Sequence, residues 1–298
     1  MDISSFPLTL ADGRSLDVEV SGPAGGTPLL FLHGTPSGGQ QYPPFAEAAA
    51  ARGLRLVCYS RPGYGHSSRQ PGRDVAACAP DIAAIVDRLG ADRFYVTGAS
   101  GGGPHTLACA ALLPDRVLAC ATVASAAPFD AEGLDFLDGM GRENHEEFGA
   151  AVAGPAELRD YLERQVPELA EITGEQAAAA LGDLVSPIDA ATLTGEYAEY
   201  LAASIRGAIA NGIWGWLDDD LAFVKPWGFE LADIGVPVFI WQGGQDRMVP
   251  FSHGEWLAAH VPGAKARLLA EHGHLSIATG MFGEIVDELL AGAPPRTG

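Results

Sequence analysis

Two short alternating runs open the chain, Phe6 to Leu10 and Ser15 to Val20, and the Asp12-Gly13 dipeptide between them suits a tight hairpin turn. Together they predict an antiparallel edge hairpin. Apolar runs of roughly four to eight residues then recur at Pro28 to Leu32, Leu54 to Tyr59, Phe94 to Thr97, Val117 to Val123, Val236 to Trp241 and Ala266 to Leu269. Each is too short for a buried helix and reads as a buried parallel strand. Helical patterns lie between them. The clearest runs from Asp74 to Leu89, where Val75, Ala79, Ile82, Ile85, Val86 and Leu89 share one face and Gly90 supplies the stop. This alternation predicts an α/β fold, a mostly parallel, doubly wound sheet covered by helices on both faces. Ligand sites are expected at the carboxyl ends of its strands.

The rhythm breaks between Pro128 and Trp227, a stretch with helical patterns and no strand run. Residues 128–227 hold 20 of the 38 acidic residues and only five basic ones (Arg142, Arg159, Arg164, Arg206, Lys225), so 5 − 20 = −15 of the total charge of −20 lies there. Because the strand pattern resumes at Val236, the segment is expected to be a helical cap inserted into a core made of residues 1–127 and 228–298. Most of its charges are expected on solvated helix faces.

Composition narrows the function. With 47% hydrophobic and 19% charged residues the chain is globular, and a charge of −20 repels nucleic-acid phosphates and anionic membrane surfaces. The expected partner is a small-molecule substrate, with neither nucleic acid nor membrane. Cys58, Cys78, Cys109 and Cys120 are far apart and form no CxxC pair, and the start Met1-Asp2-Ile3-Ser4-Ser5 carries no leader-like run. Buried free thiols and a reduced, cytoplasmic setting are expected. No metal-ligand motif, Walker sequence or GxGxxG occurs, so no metal and no cofactor is expected.

Chemistry concentrates first at Phe94-Tyr95-Val96-Thr97-Gly98-Ala99-Ser100-Gly101-Gly102-Gly103, a strand running into Gly-x-Ser-x-Gly and then into a helical pattern, Pro104 to Leu113. A serine on such a sharp turn needs glycines beside it where a Cβ would meet backbone, and the helix that follows aims its amino end at developing negative charge. Ser100 is the candidate nucleophile. A lone serine hydroxyl is a weak nucleophile and needs a histidine to take its proton and a carboxylate to orient that histidine.

The buried run Leu29 to Leu32 ends in His33-Gly34-Thr35-Pro36, and with the serine turn this resembles the α/β-hydrolase family, in the serine-hydrolase form with a helical cap. The resemblance implies an oxyanion hole made by the N–H groups of Thr35 and Gly101, since Pro36 has none. It gives His33 the part of a loop brace. Phe239 to Pro250 resembles the family's G-x-x-D-x-x-x-P element and makes Asp246 the acid; Glu271-His272-Gly273-His274 resembles its Gly-His pair and makes His274 the base, ahead of His272. His66 and His105 are expected to be structural, and His253 and His260 to sit on a solvated helix.

The resemblance implies a carboxylesterase-like enzyme that cleaves an uncharged, moderately hydrophobic ester or lactone through an acyl-enzyme. Ser100 in place of an aspartate argues against haloalkane dehalogenase and epoxide hydrolase chemistry. Nine aromatic residues (Phe129, Phe136, Phe148, Tyr197, Tyr200, Trp214, Trp216, Phe223, Trp227) could line a pocket, although most are expected to pack the cap itself. His145, Trp214 and Trp216 are the candidate substrate contacts. The alternatives are an aminopeptidase resembling proline iminopeptidases, holding an ammonium group on Glu146 or Glu147, a carbon–carbon bond hydrolase, a cofactor-free lyase and a non-catalytic receptor.

Overall fold

A computed structural model describes residues 2–293. Residue 1 and residues 294–298, the two ends of the expected core, lie outside the described residues. The strands are β1 (Ser4–Thr9), β2 (Ser15–Ser21), β3 (Thr27–Leu32), β4 (Leu54–Tyr59), β5 (Phe94–Ala99), β6 (Val117–Val123), β7 (Val238–Gly243) and β8 (Lys265–Leu269). They form one sheet in the order β1-β2-β4-β3-β5-β6-β7-β8. The opening hairpin pairs Leu8 with Leu16 across a turn in which Gly13 takes a φ of 87°, and β1 is the edge strand. From β4 to β8 every neighbouring pair is parallel.

Side-chain alternation sends Leu30, Leu32, Val57 and Val96 to one face of the sheet and Leu29, Leu56, Cys58 and Tyr95 to the other. Helices α2 (Cys78–Arg88), α3 (Gly102–Leu112) and α10 (Phe251–His260) cover the first face, through residues such as Ile82, Leu107 and Leu257. Helices α1 (Pro43–Ala51), α11 (His274–Gly280) and α12 (Phe282–Gly292) cover the second, through Phe45, Ile277 and Ile285. The doubly wound arrangement follows from this division of apolar positions. Helix α2 starts at Cys78, four residues later than its periodicity suggests. Asp74 Oδ1 accepts from the Ala77 N–H and holds the preceding residues in a turn, while Val75 is buried all the same.

The chain leaves β3 outward to β4 and returns to pair β5 on the opposite side of β3. The carboxyl ends of β3 and β5 are therefore adjacent, with Leu32 beside Gly98, at the point where strand order reverses. Between β6 and β7 lie α4 (Arg142–Ala153), α5 (Pro155–Ala170), α6 (Ala177–Ala180), α7 (Pro187–Thr192), α8 (Gly195–Ile209) and α9 (Trp214–Phe223), with no strand among the described residues. Two apolar clusters, one around Leu158, Leu162 and Leu217 and one around Ile172, Ala202 and Ile205, hold these helices together. The second cluster includes Leu275 of α11, so the segment packs directly onto the sheet's carboxyl edge.

Candidate active site

Ser100 sits at the turn from β5 into α3 with a φ of 54°, in the left-handed region that side chains other than glycine rarely occupy. Its N–H donates to the Val123 carbonyl at 2.9 Å and its own carbonyl accepts from Gly103 at 2.8 Å, which ties the strained residue to β6 and to the helix start. Glycines make the turn possible. A Cβ at Gly98 would lie 2.3 Å from the Gly102 carbonyl oxygen, and one at Gly102 would lie 2.1 Å from that of Leu32.

His274 is the first residue of α11, and Asp246 lies in the loop after β7. Their side chains meet, His274 Nδ1 to Asp246 Oδ2, at 2.8 Å, and both are buried. Asp246 Oδ1 accepts from the Met248 and Val249 N–H groups at 2.8 Å each, and Oδ2 also accepts from Gln242 Nε2 at 3.1 Å. Burial pushes the Asp246 carboxyl up and pulls the His274 ring down, but the charge and hydrogen bond of Asp246, with a further contribution from Asp189, leave His274 above its ordinary value. One proton between the pair belongs on Nδ1, because an Asp246 that accepts three other donors is best served as a carboxylate. His274 Nε2 is then the free basic position. Ser100 and His274 line the same cavity, with no hydrogen bond between their side chains among the described residues; such bonds often tighten only when substrate is present. His272 is held by its backbone, whose carbonyl accepts from Gln245, and does not reach Asp246.

Thr35 follows β3 and faces Gly101 so closely that a Cβ on Gly101 would lie 2.4 Å from Thr35 Oγ1. No backbone carbonyl accepts from the Thr35 or Gly101 N–H among the described residues. The loop is held by a buried ion cluster that sequence reasoning missed. Arg61, fully buried, donates to the carbonyls of His33 and Gly34 and to Thr35 Oγ1, and its Nη2 lies 2.7 Å from Asp219 Oδ2. The same oxygen accepts from Thr35 Oγ1 and Tyr64 Oη at 2.8 Å, while Asp219 Oδ1 pairs with Arg73 at 2.6 Å. Burial alone would raise the Asp219 carboxyl, but Arg61 and Arg73 hold it well below the usual carboxylate range. His33 donates from Nδ1 to the Gly34 carbonyl at 2.8 Å and accepts at Nε2 from the Arg61 N–H at 3.1 Å, which occupies both ring nitrogens. Burial and then Arg61 hold it well below its ordinary value, so it is a neutral brace.

The cavity has a volume of about 240 Å³. Five of the nine aromatic residues above line it (Phe148, Tyr197, Tyr200, Trp216, Phe223), more than the sequence led us to expect. His145 and Trp214 do not. On α4 the wall is made by Glu143, Asn144, Glu147 and Phe148, and His145 is exposed on another face. Trp214 lies two residues, about 200°, around α9 from Trp216, and its ring stacks instead under the guanidinium groups of Arg69 and Arg159.

Trp216 Nε1 donates to Glu147 Oε1 at 2.7 Å, and Asp220 lines the same cavity, so two carboxyl groups share the wall. Burial, then the charge of Glu147, pushes Asp220 well up, and burial also raises Glu147. No Lys or Arg lines the cavity among the described residues.

Other expectations are corrected or placed as follows. The Asp218-Asp219-Asp220 run and Asp189 are buried, not on solvated faces. His253 is fully buried, accepting the Ala127 N–H at 3.1 Å and donating to the Phe136 carbonyl at 2.9 Å, because α10 packs against the chain that leaves β6. His260 is exposed and stacks on Trp256. His105 is buried against the Gly101 carbonyl, and burial followed by Arg61 pulls it down to about 3. All four cysteines are buried free thiols. Among the described residues no group of three or more His, Cys, Asp or Glu side chains is placed to hold a metal ion, and no helix is long and apolar enough to cross a membrane.

Residues 27–280 match the model of the alpha/beta hydrolase fold. Among curated proteins, the chain is 29% identical over 276 residues to the dihydrolipoyllysine-residue acetyltransferase component of the acetoin cleaving system of Cupriavidus necator, a match covering 89% of this chain and 64% of that one. It is 24% identical over 263 residues to the 2-hydroxy-6-oxononadienedioate/2-hydroxy-6-oxononatrienedioate hydrolase of Cupriavidus pinatubonensis, covering 84% and 81%. Among solved structures, a thermophilic esterase from Thermogutta terrifontis superposes with a TM-score of 0.70 at 19% identity, covering 97% and 98%, a likeness of fold.

Proposed function

The chain belongs to the alpha/beta hydrolase fold family, and on that premise we propose that it is a serine hydrolase cleaving an uncharged, moderately hydrophobic carboxylic ester or lactone through an acyl-enzyme. The observation that carries this reading is the 2.8 Å His274–Asp246 contact on the same cavity as a nucleophile held at positive φ. In the proposed reaction Ser100 Oγ attacks the carbonyl carbon while His274 Nε2 takes its proton and then returns it to the leaving alcohol. Asp246 orients the ring and stabilises the imidazolium. The N–H groups of Thr35 and Gly101 receive the oxyanion, a contribution of roughly 3 to 4 kcal/mol per donor in comparable sites. Water then attacks the acyl-enzyme by the same proton path. Residues 128–227 act as the cap that shapes the cavity, on a core of residues 1–127 and 228–298.

The absence of Lys and Arg from the cavity wall favours an uncharged substrate over the dianionic substrate named for the Cupriavidus pinatubonensis relative. The two carboxyl groups on the cavity wall, Glu147 and Asp220, favour, as a second reading, an aminopeptidase whose substrate ammonium they would hold. A panel of short-chain nitrophenyl esters, lactones and N-terminal prolyl amides separates the two. Ester or lactone turnover is expected, with a burst of one nitrophenol per enzyme on the nitrophenyl esters; preference for the prolyl amide, with a KM that rises in Glu147→Gln, would replace the first reading by the second.

A further inference from the structure

His274 stands at the start of α11, where the first backbone N–H groups of a helix have no partner within the helix. The residue before it, Gly273, has no side chain to cap them. The partner comes from 85 residues away: Asp189 of α7, fully buried, accepts from His274 N at 2.8 Å on Oδ2 and from Leu275 N and Ser276 N at 2.9 Å on Oδ1. Ser186 Oγ donates to Oδ2 at 3.0 Å. A Cβ on Gly273 would lie 2.3 Å from Asp189 Oδ2, so the glycine leaves room for the carboxylate.

We propose that Asp189 is a positioning residue for His274, a carboxylate of the inserted helices that fixes the backbone of the base while Asp246 fixes its ring. The inference rests on the serine-hydrolase reading of the same site. Three charge-assisted bonds on successive N–H groups set where the helix starts and therefore where the imidazole is aimed. Asp246 from the loop after β7 and Asp189 from α7 are the charged groups acting on the ring, and both favour the imidazolium that forms when Ser100 is deprotonated. The cap then cannot leave its place without releasing the base.

Asp189→Asn tests this, because Asn Oδ1 can still take the Leu275 and Ser276 N–H groups while His274 N–H loses its acceptor and the charge disappears. The expected result is a kcat reduced on the order of 10- to 100-fold with KM within about three-fold. In the wild type the acid limb of kcat/KM lies above 6.5, the ordinary histidine value, because His274 is raised; in the variant this limb moves to lower pH, since losing a neighbouring negative charge disfavours the imidazolium. Gly273→Ala, which crowds the carboxylate without removing its charge, is expected to lower kcat in the same direction. Wild-type kcat and acid limb in Asp189→Asn, or a loss of thermal stability alone, would overturn the inference. The His274 imidazole titration followed by NMR reads the same shift without turnover. A protein with no serine-dependent activity whose His274 midpoint still falls in Asp189→Asn would sink the serine-hydrolase reading and leave the positioning contact standing.

Discussion

On one cavity or in contact with its lining, the carboxyl edge of the sheet contributes Ser100, Asp246 and His274, and the helices between β6 and β7 contribute Asp189, Asp219 and Asp220. The two sets differ in how they are held. The first sits on short loops that a strand places and a glycine permits. The second consists of buried carboxyl groups on helices, two of which, Asp189 and Asp219, each meet a specific set of donors. Two segments at this edge are in turn gripped by members of the second: Asp189 holds the start of α11, where the proposed base stands, and Asp219, through Arg61, holds His33 to Thr35, which carries one proposed oxyanion donor. The chemistry proposed for the sheet edge thus depends on order supplied by the inserted helices.

That dependence can be broken most severely at Asp219. Asp219→Ala strands Arg61 and Arg73 as buried charges and is expected to cost about 3 to 5 kcal/mol of stability and to remove most activity by loosening the Thr35 loop. Chemical denaturation and ester turnover measure both. The same change at Asp87, whose ion pair with Arg116 is mostly exposed, is expected to cost no more than about 1 kcal/mol. Similar losses at the two sites would show that the buried cluster has no special part in holding the loop.

Much of the sheet edge was legible in the sequence. Leu54–Tyr59 and Val117–Val123 match their apolar runs end to end, and the Gly-x-Ser-x-Gly turn lies between a strand and a helix as its pattern requires. Ser100 could be marked by that motif, and Asp246 and His274 by the family resemblance of their own segments, because each is tied to a local turn. Asp189 offered no such mark. Its local pattern, Ser186-Pro187-Ile188-Asp189, reads as a helix start, and its partners on α11 are backbone N–H groups, which leave no trace in residue type. The Asp218-Asp219-Asp220 run did carry a signal: three carboxylates within Trp214 to Phe223, a helix otherwise rich in large apolar residues, are poorly explained as a solvated face. Arg61 gave half of the answer, but its pairing across 158 residues belongs to the tertiary fold.

The smallest effect is expected at His145. It is exposed on α4 and points away from the wall made by Glu143, Asn144, Glu147 and Phe148. His145→Ala should leave kcat/KM within about two-fold and stability within about 0.5 kcal/mol. A larger loss of kcat/KM would mean that substrate reaches beyond the cavity and would widen the part played by the helices from support to recognition.

The measurement that bears most directly on the central claim is intact-mass spectrometry after exposure to a fluorophosphonate, on the wild type, Ser100→Ala and His274→Ala. The account predicts one phosphonyl adduct on the wild type, none on Ser100→Ala, and labelling slowed by several orders of magnitude on His274→Ala. A folded wild type that stays unlabelled, or a Ser100→Ala protein labelled as fast as the wild type, would contradict it.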